Sequence, residues 1–221
     1  PTVIAGNSLG GFAALAAGAA LGSDCAGVVL LNAAGPFSDE QKLPQGWGAI
    51  ARQSIGTALL KSPVLQRLLF ENLRRPATIR RTLNQVYVDK TNVDDWLVES
   101  IRRPSLDPGA FGVFRTVFDI PRGQPLDELF AELTAPLLLL WGIRDPWINA
   151  PGRRSTFQRH APEATTEVVL EAGHCPHDEV PDQVNAALLQ WLEGLKSAAA
   201  PTNVDLLAKR MNEPPRIGGC P

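Results

Sequence analysis

The sequence predicts an α/β protein: a mostly parallel sheet with helices on both of its faces. Three observations predict it. Four short runs are largely apolar rather than alternating: VIA at 3–5, GVVLL at 27–31, PLLLLW at 136–141 and TEVVL at 166–170, the last with Glu167 near its start. Such runs suit strands covered on both sides, where neither face meets water. Helix-forming stretches separate the runs, and strands alternating with helices assemble as parallel crossovers. Finally, Val184, Ala187, Leu188, Trp191, Leu192 and Leu195 recur at helical spacing behind Pro181, which marks a closing helix with one apolar face.

Taken in order, the first run ends at Gly6, and residues 9–21 are small, strong helix formers closed by Gly22. The second run stops at Asn32 and Gly35. Residues 37–133 then break the rhythm, with no strand-like run and several amphipathic patches. One patch holds Val64, Leu65, Leu68, Leu69 and Leu73 among Arg67, Arg74 and Arg75. Another holds Val93, Leu97 and Ile101 behind a Thr91 cap, and a third holds Phe111, Phe114, Val117 and Phe118. Pro63, Pro76, Pro104, Pro108, Pro121 and Pro125 cut the segment into short helices. The organisation expected is a sheet core from 1–36 and 134–196, a helical cap at 37–133 and a mobile tail at 197–221.

Composition narrows the function. The chain has 221 residues, 21 Lys and Arg against 23 Asp and Glu, and a net charge of −2. A nucleic-acid binder would carry a clear basic excess, so nucleic acid is not an expected partner. The longest apolar run, 12–21, is short of the ~18 residues of a membrane span. Cys25, Cys175 and Cys220 are too few and too scattered for a disulfide framework, which favours a reducing compartment.

Three motifs carry chemistry. GNSLGG at 6–11 lies between the first strand and the first helix, as a nucleophile elbow requires. A tight turn there lifts Ser8 clear of the sheet, and glycines at 6, 10 and 11 let backbone and helix approach closely. The N–H of Leu9, at the helix N-terminus, then faces a developing oxyanion. WGIRDPW at 141–147 puts Asp145 just past a buried strand, where open α/β sheets place functional groups, although Asp-Pro is also an ordinary turn starter. EAGHCPHDEVP at 171–181 places His174 on the loop after the fourth strand. Its His–Cys–His cluster invites a zinc reading, but Pro176 prevents a helical pair and two further ligands are not evident, so no metal or other cofactor is expected. His177 and Asp178 are expected to settle the loop, and His160 to lie on the surface. The order Ser8, Asp145, His174 is the chain order of an α/β-hydrolase triad, in which the histidine takes the serine proton and the aspartate fixes the imidazole tautomer.

At these residues the chain resembles plastid and cyanobacterial α/β-hydrolases of the pheophytinase-like group. The resemblance rests on GNSLGG, LLLLWG with DPW, and above all AGHCPHDEVP, and extends to QVYVDKTNVDD at 85–95 and RRPSLDPGA at 102–110 in the cap. It implies Ser8, Asp145 and His174 as the triad, ester hydrolysis under a helical cap, and a plastid location. One member of that group removes phytol from pheophytin; related members have other substrates. Epoxide hydrolases and haloalkane dehalogenases are similar in cap architecture but use a carboxylate nucleophile, whereas position 8 is serine.

The chain departs from that group in lacking any His-Gly, the motif that supplies a second oxyanion donor ahead of the elbow. Losing one donor costs roughly 10²–10³ in turnover. We therefore expect the C-terminal part of a longer α/β-hydrolase, poorly folded by itself. The leading expectation is hydrolysis of a lipophilic carboxylic ester. The alternatives are a hydrolase-derived binding protein without turnover and acyl transfer or thioester hydrolysis by the same residues. Phe111, Phe114 and Phe118 suit cap packing, with a pocket wall as the other option. Arg67, Arg74, Arg75, Arg80 and Arg81 suit a solvated helix face, with an anionic membrane surface as the other.

Overall fold

The computed structural model describes residues 2–41, 62–116 and 123–199. Phe118, Cys220 and the tail from residue 200 onward lie outside the described residues. Four strands, β1 (Thr2–Asn7), β2 (Cys25–Leu31), β3 (Leu137–Gly142) and β4 (Thr165–Leu170), pair in parallel in the order β1-β2-β3-β4. Each strand of the predicted sheet is present; β1, β2 and β4 are extended by one to three residues, and β3 is shifted by one.

The apolar runs are explained by two cores, one on each face. Val28, Leu30, Leu137, Leu139 and Trp141 point to one side and Val29, Leu31, Leu138 and Leu140 to the other, as the two-residue strand period dictates. The first face is covered by α1 (Leu9–Leu21), α7 (Leu126–Glu132) and α8 (Ala150–His160), and the second by α10 (Pro181–Ala199). Each fully buried leucine there stabilises the fold by about 1.5–3 kcal/mol. β4 is less buried and carries a charge: Glu167 accepts two 2.9 Å bonds from Arg154 of α8. That guanidinium, more than burial opposes it, holds the Glu167 carboxyl below the usual range.

Between β2 and β3 lie α2 (Ser38–Gln41), α3 (Pro63–Leu73), α4 (Pro76–Val86), α5 (Asp95–Arg102) and α6 (Ala110–Thr116), followed by α7. Prolines open α3 and α4, where the missing N–H is no loss. Helix α5 is capped by Asp94, whose carboxylate accepts from Leu97 N at 2.7 Å, and not by Thr91. Thr91 instead closes a turn onto Asp89, which sits closer in sequence to its hydroxyl and N–H. These inserted helices share a core of Ile79, Leu83, Val86, Tyr87, Val93 and Val98, with Cys175 packed against it. Phe111 and Phe114 pack on Phe70, at ring distances of 5.6 and 5.3 Å. Both ends of the insertion return to the main core: Phe37, Leu126, Leu129, Phe130 and Leu133 are buried against the sheet. Among the cap arginines, Arg67 and Arg74 pair with Glu71 and Arg80 with Asp95, while Arg75 and Arg81 are exposed. Among the described residues no helix is long and apolar enough to cross a membrane.

Candidate active site

Ser8 stands between β1 and α1 with φ 54° and ψ −121°, a conformation that costs a non-glycine residue about 1–3 kcal/mol. Surrounding bonds hold it there. Its N–H donates to Leu31 O at 3.0 Å, and its carbonyl accepts from Gly11 N at 3.0 Å and Ala34 N at 2.9 Å. A Cβ on Gly6 would lie 2.1 Å from the Gly10 carbonyl oxygen, so only glycine fits beneath the turn. Gly11 is similarly pressed on Ala33, whereas a side chain on Gly10 would meet open space; the close approach expected at position 10 is not needed. Leu9 opens α1, and the first N–H groups of a helix have no intrahelical acceptor.

Asp145 and His174 are brought together at the ends of β3 and β4. The His174 Nδ1 lies 2.6 Å from Asp145 Oδ2, and both residues are buried. A carboxylate only accepts, so Nδ1 carries a proton, and in the neutral imidazole Nε2 is the acceptor. The other carboxylate oxygen accepts from Trp147 N at 2.7 Å and Ile148 N at 3.2 Å. The Asp-Pro sequence is therefore more than a turn starter. Burial works against ionisation of Asp145, but the hydrogen bonds from His174 and Trp147 N outweigh it and keep the carboxyl below its ordinary value. A lowered native value means that its stabilisation is complete above about pH 4 and is lost as the pH falls further. The melting temperature of the protein should accordingly fall more steeply below pH 4 than that of an Asp145→Asn variant, as thermal melts across pH 3–6 would show.

The Ser8 turn meets the His174 loop through Asn7, whose Nδ2 donates to His174 O at 2.8 Å and to Leu31 O at 3.1 Å. Among the described residues, no hydrogen bond joins the Ser8 hydroxyl to His174 Nε2. The Trp147 ring lies over the imidazole at 4.9 Å and is itself 56% exposed, which gives the site an apolar rim. Cys175 follows His174, but burial first, and then the charges of Asp178 and Asp145, push its thiol up to about 11, which keeps it protonated and unreactive. His160 is exposed and rests on Phe37. Among the described residues no group of three or more His, Cys, Asp or Glu side chains is arranged to hold a metal ion.

Asn32 was not singled out by the sequence pattern. It is fully buried at φ 39°, and its amide bridges three chain segments. Nδ2 donates to Asp145 Oδ2 at 2.8 Å and lies within bonding distance of the Gly142 and Gly173 carbonyls, while Oδ1 accepts from Gly142 N at 2.7 Å. The available signal was a polar residue directly ending the run GVVLL, where a buried amide needs partners.

A four-stranded parallel sheet with a strained serine after its first strand and a bonded Asp–His pair after its third and fourth fits one class, and the chain matches the alpha/beta hydrolase family over residues 1–187. It belongs to that family. It is also 31% identical over 204 residues to a protein of Arabidopsis thaliana, "Pheophytinase, chloroplastic", a match that covers 89% of this chain and 42% of that protein. The chain thus spans less than half the length of that relative. Among solved structures it is similar to a thermophilic esterase from Thermogutta terrifontis, with TM-score 0.60, 24% identity, and 87% of this chain and 65% of that one covered. A second is a membrane phospholipase A described as a bacterial virulence factor, with TM-score 0.61, 22% identity, and 87% and 56% covered. At these identities the two structures bear on the fold alone.

Proposed function

We propose that this chain carries the catalytic centre of a serine hydrolase that cleaves the carboxylic ester of a lipophilic substrate. The observation that carries the reading is the 2.6 Å bond between Asp145 and His174, which leaves Nε2 as a base beside a loop tied to the Ser8 turn. His174 Nε2 takes the proton as Ser8 Oγ attacks the ester carbonyl, and the Leu9 N–H donates to the oxyanion. Collapse of the tetrahedral species breaks the ester C–O bond, and the proton passes from His174 to the departing alcohol. Water, deprotonated by the same imidazole, then releases the acid from Ser8. Trp147 at the rim and the helices described between β2 and β3 favour an apolar substrate. The chloroplastic relative supports a plastid location and, by its name, a pheophytin-like ester.

Fluorophosphonate labelling, with the adduct mapped by mass spectrometry, tests this. Ser8 is expected to be modified, and a His174→Ala variant is expected to lose the modification. A folded protein that takes no label at Ser8 would instead be the hydrolase-derived binding protein.

A further inference from the structure

The loop that carries His174 is fastened to the cap by one buried side chain. Glu179, at the end of α9 (Pro176–Glu179), is only 6% exposed. Its Oε1 accepts from Gly173 N, immediately before His174, and its Oε2 accepts from Val88 N and from Asp89 N, the latter at 2.8 Å, in the cap segment that follows α4. The same two segments touch directly, since His174 N donates to Val86 O at 3.0 Å. Gly173 is so close to Val86 that a Cβ would lie 1.9 Å from its carbonyl oxygen. Next door, Asp178 accepts from the Tyr87 hydroxyl, and its carbonyl from Asn92 Nδ2 at 3.3 Å. The main chain on both sides of the joint thus presents N–H groups toward Glu179, and only a group with two accepting oxygens satisfies them.

We propose that Glu179 is a positioning residue for His174: by bridging Gly173 to Val88 and Asp89, it aligns the imidazole loop against the seated cap, so that the cap and the base are set together. The inference rests on the hydrolase reading above. Glutamine at 179 keeps the shape but offers one accepting oxygen, and its NH2 opposes an N–H donor, leaving buried groups unpaired. The imidazole would then drift, and misplacement by an ångström costs on the order of 10²-fold in rate.

The test measures fluorophosphonate inactivation of the full-length protein, resolving the maximal rate from the inhibitor's dissociation constant. Glu179→Gln is expected to lower the maximal rate roughly 10²-fold with the dissociation constant unchanged. Amide exchange at Val88 and Asp89 should quicken alongside. Leu195→Ala, in the seam between α10 and the sheet, supplies a protein of lowered melting temperature that should label at the normal rate. If Glu179→Gln does not fold, Glu179→Asp, which keeps both oxygens on a shorter arm, is expected to show a smaller slowing of the same kind. Labelling of the Glu179 variants no slower than that of Leu195→Ala overturns this inference alone. Absence of a Ser8 adduct in the unaltered protein overturns the hydrolase reading and this inference with it.

Discussion

Replacing Asp145 with asparagine is expected to lower ester turnover by roughly 10⁴-fold without unfolding the protein. Two backbone N–H groups, from Trp147 and Ile148, fix one side-chain oxygen, so the amide of an asparagine would keep its carbonyl there and turn its NH2 toward His174. An NH2 cannot accept from Nδ1. The imidazole would adopt the other tautomer, with the proton on Nε2, and could no longer take one from Ser8. The Asn32 Nδ2, now facing a second donor, reinforces the mismatch. Steady-state hydrolysis of a short aryl ester, beside a circular-dichroism melt within a few degrees of the parent, checks both halves of this expectation.

The second large effect is on stability. Gly173→Ala is expected to destabilise the fold by about 3 kcal/mol, the upper end of what overpacking costs. The added carbon would sit 1.9 Å from the Val86 carbonyl oxygen, and that oxygen cannot swing away because it accepts the His174 N–H. Gly142 blocks retreat on the other side, since its own Cβ position is 2.0 Å from the Gly173 oxygen. Three stretches of main chain, from β3, the His174 loop and the end of α4, are stacked with no room for a methyl group. Urea titration should show a lower midpoint at unchanged slope, the mark of a stability change alone. Gly10→Ala, with open space around it, should fall within about 1 kcal/mol of the parent in the same titration.

The strands were legible because β2 and β3 are covered on both faces, and continuous apolar runs follow from that alone. Ser8, Asp145 and His174 were legible because each follows such a run, and two of them lie in motifs with glycines the turns require. Asn7, Asn32 and Glu179 were not, because their significance comes from partners far along the chain: Asn32 reaches Gly142 110 positions away, and Glu179 reaches Val88 91 positions away. The Asp94 cap is obscured for a local reason: Thr91 is a capping residue too, and only the course of the chain at Asp89 decides between them. The return of Leu126 and Phe130 to the sheet was hidden because helices packed on the cap and on the sheet share one period.

The sequential strand order has a consequence for how the protein folds. Among the four described strands, each later one joins the edge made by the one before it, and the loops closed at each step are very unequal. Asn7 and Leu31, across β1 and β2, are 24 positions apart; Asn32 and Gly142, across β2 and β3, are 110 apart; Asp145 and His174 are 29 apart. Closing the middle loop costs about 1.3 kcal/mol more chain entropy than closing the first. Non-local parallel pairing is also slow in itself, so of these three pairings that of β3 with β2 is expected to be the slowest. Helices that form early within the intervening segment shorten the span to be closed and so hasten it. On the ribosome, strand addition and synthesis run in the same direction, and the Asp–His pair is completed only once β4 has emerged.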